Sequence, residues 1–74
     1  MQVQQIMTTD VVTCRPDTNL AVVAKLMWDR DCGFVPVIDA AGRVAGVITD
    51  RDICIASATR RLLPDQITAA KAMR

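Results

Sequence analysis

Apolar residues recur at helical spacing in one stretch of the chain and run unbroken in two others. Leu20, Val23, Ala24 and Met27 fall at i, i+3, i+4 and i+7, which predicts an amphipathic helix. Lys25 and Asp29 take its wet side, and Trp28 flanks the apolar stripe. Asp17-Thr18-Asn19 supplies candidate N-caps, and Asp31-Cys32-Gly33 ends the helix, with Gly33 the natural C-terminal residue. Phe34-Val35-Pro36-Val37-Ile38 is apolar without alternation, the pattern of a strand covered on both faces. Pro36 cannot donate to a ladder, so it demands an edge or a local break in pairing. Asp39-Ala40-Ala41-Gly42 predicts a turn, and Arg43 to Ile48 returns as the partner strand of a hairpin. A second long helix is predicted from about Asp50 to Thr59, followed by a linker through Leu62-Leu63-Pro64-Asp65.

The flanks are weaker. Val3, Ile6 and Met7 share one helical face, Thr8-Thr9-Asp10 breaks it, and Val11-Val12-Thr13-Cys14 reads as a short strand. Pro16 stops that strand, since it has no donor and restricts Arg15. Thr68 to Met73 is a fresh helical stretch. Its Ala69-x-x-Ala72-Met73 matches Val3-x-x-Ile6-Met7, as if a second copy of the unit began there.

Length and composition narrow the class. A chain of 74 residues is one small domain, or part of a larger one, and buries only roughly 60% of its unfolded surface. Half the residues are hydrophobic, which argues against disorder. Trp28 and Phe34 are the only aromatics, so the core must be aliphatic. A net charge of +1 and the lack of stacking aromatics give no case for nucleic acid. No apolar run reaches membrane-spanning length and no signal peptide is visible, so a cytoplasmic protein without a membrane segment is expected. Three widely spaced cysteines without any histidine give no zinc pattern; buried free thiols are expected at Cys14, Cys32 and Cys54.

Chemistry gathers at Gly46-Val47-Ile48-Thr49-Asp50-Arg51-Asp52, where the strand runs into the second long helix. The first turn of a helix has unpaired N–H groups and the positive end of the helix dipole. A hydroxyl and a carboxylate three residues apart can hold a sugar edge there, the carboxylate accepting from a diol and the free N–H groups meeting a phosphate. Thr49-x-x-Asp52 equally fits a capping box. Gly46 in mid-strand indicates a bulge, close packing, or a ligand near the backbone. No base–nucleophile pair, metal set or phosphate-gripping glycine loop is present, so no enzyme is predicted.

Four blocks together resemble the cystathionine-β-synthase-type domain, the CBS domain. They are Ile6-Met7-Thr8, Val12-Thr13-x-x-Pro16-Asp17, Val35-Pro36-Val37-Ile38-Asp39 with Gly42-Arg43, and Gly46 through Asp52. The resemblance divides the chain into a CBS unit at 3–58, a linker at 59–67 and the start of a second unit at 68–74. It implies an α/β (α+β) fold, a small mixed sheet of about three strands with the two longer helices packed against it. Such domains usually come as tandem pairs, Bateman modules, that associate face to face around adenine nucleotides or related adenosyl compounds. Carried over onto this chain, Gly46, Thr49 and Asp52 match the family's ligand motif. Asp52 would hold the ribose hydroxyls, and Thr49 with nearby backbone would face the phosphate; Arg51 either joins them or reads as a solvated surface charge. The adenine would lie against Phe34, Val35, Pro36, Val12 and Thr13, although the pattern alone puts Phe34 and Val35 in the core. The implied function is regulatory binding of AMP, ADP, ATP or another adenosyl compound, with no obligatory cofactor and a second copy of the chain replacing the missing repeat. The rival is a ligand-free structural dimerisation module.

Overall fold

A computed structural model describes residues 12–74. The expected helix at Val3–Met7, and the beginning of the first strand, lie outside these residues. Four helical or strand segments form the body: α1 (Leu20–Arg30), β1 (Phe34–Ile38), β2 (Val44–Thr49) and α2 (Asp50–Arg60). A 3₁₀ turn at Pro64–Gln66 and a short helix, α3 (Ala69–Ala72), follow.

α1 begins where its cap predicts. The Val22 N–H donates to Asn19 Oδ1 at 3.0 Å, and Leu20, Val23 and Met27 turn inward. Lys25 and Asp29 pair at 3.0 Å on the outer face. The helix ends at Asp31, not Gly33: Asp31 takes the left-handed conformation at φ 51° and its N–H bonds back to Met27 and Trp28. A short polar side chain tolerates that conformation well enough to do the work of a glycine.

β1 and β2 form the expected antiparallel hairpin, with Val35 opposite Ile48 and Val37 opposite Gly46. The turn is held by Asp39, whose Oδ1 accepts from the Ala41 and Arg43 N–H groups, both at 2.9 Å, while Gly42 adopts φ 81°. The register slips after Val37, because Ile38 faces Val44; Ala45 is the extra residue of a bulge.

The anticipated third strand is a single parallel rung, Cys14 beside Val37. The Cys14 N–H donates to the Pro36 carbonyl at 3.0 Å, and the Ile38 N–H donates to the Cys14 carbonyl at 2.8 Å. In a parallel ladder the rung before this one needs the N–H of residue 36, and the rung after it needs that of residue 16. Both are prolines, so neither rung can form. Pro36 costs the hairpin nothing, since its backbone faces Cys14 and not β2.

The core is aliphatic. Leu20, Val23, Val35, Val37 and Ile48 are fully buried, with Cys14, Met27, Ala56, Ile67 and Ala69 around them. Each fully buried aliphatic side chain contributes about 1.5–3 kcal/mol. The stretch after α2 closes onto the chain before α1. The Leu20 N–H donates to Ile67 at 2.9 Å, and Ala69 and Ala70 donate to Thr18 and Pro16 at 2.7 and 2.9 Å.

Two expectations fail on burial. β1 is not covered on both faces: Val35 and Val37 face the helices, while Phe34, Pro36 and Ile38 face the other way, and Phe34 is 56% exposed. No described residue supplies a layer on that side. The cysteines are all free, but only Cys14 is buried; Cys32, in the turn after α1, is half-buried, and Cys54 is exposed because α2 buries only a narrow face. Burial raises the Cys14 thiol above its ordinary pKa, which keeps it unreactive.

Candidate functional site

The junction of β2 and α2 is built by a reciprocal cap. Thr49 is extended at φ −105°, ψ 165°, and its Oγ1 accepts from the Asp52 N–H at 3.2 Å. Asp52 Oδ2 accepts from the Thr49 N–H at 2.9 Å. The capping box that the spacing allows is therefore formed.

Asp52 does more than cap. Its other oxygen, Oδ1, accepts from Arg74 Nε at 2.9 Å. The Asp52 side chain is only 5% exposed, whereas that of Arg74 is 71% exposed. The Thr49 N–H foremost, then the Thr49 hydroxyl and the Arg74 guanidinium, hold the Asp52 carboxyl below the usual carboxylate range; burial opposes them and loses.

Arg74 reaches Asp52 because its backbone is fixed to β2. The Val47 N–H donates to the Arg74 carbonyl and the Arg74 N–H to the Val47 carbonyl, both at 3.0 Å. The outer edge of β2 is thus occupied by Arg74 at Val47 and by the Asp52 carboxylate at Thr49. Gly46 explains the close approach. A Cβ there would lie 2.8 Å from the Arg74 carbonyl oxygen and 2.9 Å from Met73 Sδ. A bulge and close packing, both foreseen for Gly46, occur side by side.

The remaining residues singled out in the sequence divide into two groups. Phe34 is the register partner of Thr49, and Pro36 that of Val47, so these four share the open face of the hairpin. Val12 is half-buried against the core and Thr13 is exposed beside the Cys14 rung. Val35 turns away, with no exposed surface. Arg51 is exposed in the first turn of α2, where its N–H donates to Asp50 Oδ1 at 2.8 Å. Arg74 was not anticipated. It lies 22 residues from Asp52, and no local spacing links the two.

A separate groove of about 570 Å³ runs between α1 and α2, bordered by Ala24, Met27, Trp28, Cys32, Ile53 and Cys54. Asp31 and Asp50 complete its rim, and none of the residues singled out as ligand contacts in the sequence lines it. Its walls are mainly apolar and Trp28 is 84% exposed, the character of a packing surface. Among the described residues no group of His, Cys, Asp or Glu could hold a metal ion, and no helix is long and apolar enough to cross a membrane.

The model of the CBS domain family matches residues 3–59. An inosine-5'-monophosphate dehydrogenase of Mycobacterium leprae is 49% identical over 47 residues, which is 64% of this chain and 9% of that protein. The magnesium transporter MgtE of Thermus thermophilus is 42% identical over 52 residues, 70% of this chain and 12% of the transporter. The crystal structure of a CBS-domain containing protein, ATU1752 from Agrobacterium tumefaciens, superposes with a TM-score of 0.78 at 34% identity, covering 86% of this chain and 48% of that one. The chain thus spans a small part of the enzyme and transporter it matches, and about half of the solved structure.

Proposed function

Because the chain belongs to the CBS domain family, we propose that it is a regulatory module that binds an adenine nucleotide and acts on an attached or partner protein. The observation that carries this reading is the Asp52 carboxylate at the start of α2. It is ionised, and it ends the same sheet edge whose open face presents Phe34, Pro36 and Thr49. A carboxylate suits a ribose diol, Thr49 and the first-turn N–H groups suit a phosphate, and Phe34 and Pro36 offer a flat apolar surface to a base. Thr13 is exposed beside that surface and Arg51 is exposed for a phosphate, whereas Val12 packs toward the core and Gly46 is covered by Met73 and Arg74. Val35 contributes from behind, as core support. Similar units within a dehydrogenase and a transporter support a module serving different catalytic or transport domains. The module itself carries no proposed catalytic residue.

The formed capping box favours a second reading, a structural module that binds no nucleotide. Calorimetric titration with AMP, ADP and ATP, beside melting curves, separates the two. At about ten times the dissociation constant, a ligand that binds only the folded state adds about 1.4 kcal/mol, which raises the melting temperature of so small a domain by roughly 6–10 °C. Silence with all three nucleotides leaves the structural reading.

Under either reading the chain self-associates. The open face of β1 and β2 and the apolar groove with Trp28 are surfaces that a second copy would cover. Light scattering at tens of micromolar (roughly) is expected to give twice the monomer mass; a folded monomer at that concentration contradicts the proposal.

A further inference from the structure

Every polar atom that would hold a ribose at Asp52 is already engaged from within the chain. Oδ2 faces the Thr49 N–H and Oδ1 faces Arg74 Nε. The first contact is part of the helix start and shares the capping geometry. The second is different in kind. Arg74 arrives from a separate segment, its side chain is mostly in water, and it takes no part in the Thr49–Asp52 capping box. Its backbone adds a two-bond pairing to Val47, and Met73 and Arg74 lie directly over Gly46. With the Asp52 side chain 5% exposed, a ligand cannot reach the carboxylate while this segment is seated.

We propose that Arg74 is a displaceable latch over Asp52, so that its seating and binding of a diol ligand at Asp52 exclude one another. This rests on the ligand reading above. Met73 is anchored by its N–H to the Ala69 carbonyl at 2.9 Å and by packing on the core, so the part free to move is Arg74, held by one ion pair that is in water on the arginine side and by one pair of edge hydrogen bonds. As seated, Arg74 and Asp52 border a cleft of about 270 Å³ that Arg60 and Lys71 also line, and Asp52 is the carboxylate that faces these cations. Binding at Asp52 would free Arg74 from β2, and by linkage anything that pulled Arg74 away would strengthen binding. The position of Arg74 is then the output that a following or partner element reads.

The test uses the intact chain, Arg74→Ala and Arg74→Met, titrated calorimetrically with AMP, ADP and ATP. Arg74→Met keeps the aliphatic stem and so separates charge from packing. Both substitutions leave the capping box intact, and both are expected to tighten binding by about three- to tenfold. The gain over the intact chain should shrink in high salt, since the competing ion pair is exposed on one side. In the intact chain, hydrogen exchange at the Val47 amide should quicken on nucleotide binding, as its bond to Arg74 is lost. Equal or weaker binding by both variants overturns the latch while leaving the nucleotide reading standing, as does slower Val47 exchange on binding. No heat with any of the three chains overturns both.

Discussion

Leu20→Ala is expected to lower stability by about 2–5 kcal/mol, the range for deleting a large aliphatic side chain from a packed core. Leu20 has no exposed surface. It is the first residue of α1, and its N–H is bonded to Ile67, so it joins the helix start to the stretch after α2. α1 supplies three buried apolar residues, whereas α2 supplies only Ala56. The loss therefore falls on the element that carries most of the helical packing. A chain of this length has a total stability of roughly 4–11 kcal/mol, so the variant should melt about 10–20 °C lower. Val22→Ala, two residues on and half exposed, is the control and should stay within about 1 kcal/mol. Urea unfolding of the three chains decides it; a loss under about 1 kcal/mol for Leu20→Ala would mean that this site is not the packing centre.

Asp52→Ala is the second large effect, and it acts on stability and binding together. It removes the acceptor of the Thr49 N–H, half of the capping box and the partner of Arg74. Thr49 still caps the residue-52 N–H, so the cost is that of leaving the half-buried Thr49 N–H without its acceptor, about 1–3 kcal/mol. Nucleotide affinity should fall by about tenfold or more, since a charge-assisted hydrogen bond to a diol is worth about 1.5–3 kcal/mol. Asp52→Asn divides the two roles. Asn still caps, so melting should stay within a few degrees (roughly), yet affinity should fall by about tenfold or more. Unchanged affinity in Asp52→Asn would leave the carboxylate as a cap alone. The sign with pH follows from the depressed carboxyl. Its contribution to stability is complete above the unfolded value near pH 3.9 (roughly) and is lost as pH falls through the lower folded value. The stability gap between the intact chain and Asp52→Ala should accordingly be constant from neutral pH down to about 4 and close below it.

How far the sequence could be read depends on whether the governing interactions are local. The i, i+3, i+4, i+7 spacing marks the buried side of α1, because a helix folds its own pattern into one face. The hairpin is equally local, and its turn residues carry the Asp39 and Gly42 chemistry. Thr49 and Asp52 were legible as a pair, with the cap now formed and a ligand role still a proposal. The third strand was overestimated. Pro16 and Pro36 are harmless singly, and only the register of Cys14 against Val37 puts both at neighbouring rungs. Phe34 was misjudged for the opposite reason. An unbroken apolar run shows that both faces can be covered, not that this chain supplies both covers. Arg74 was invisible, since contact with Asp52 requires the whole of α2 and the following turn to be in place.

Pro16 and Pro36 also bear on aggregation. A sheet edge with a regular row of free donors is a template on which a strand from another molecule can grow. On the Cys14 side of β1 that row is broken at Pro36, and on the strip that covers it the row is broken at Pro16. A foreign strand meets a missing donor within one step of wherever it begins. The sheet is shorter than its apolar content would permit, and for the same reason this side is a poor seed for fibrils.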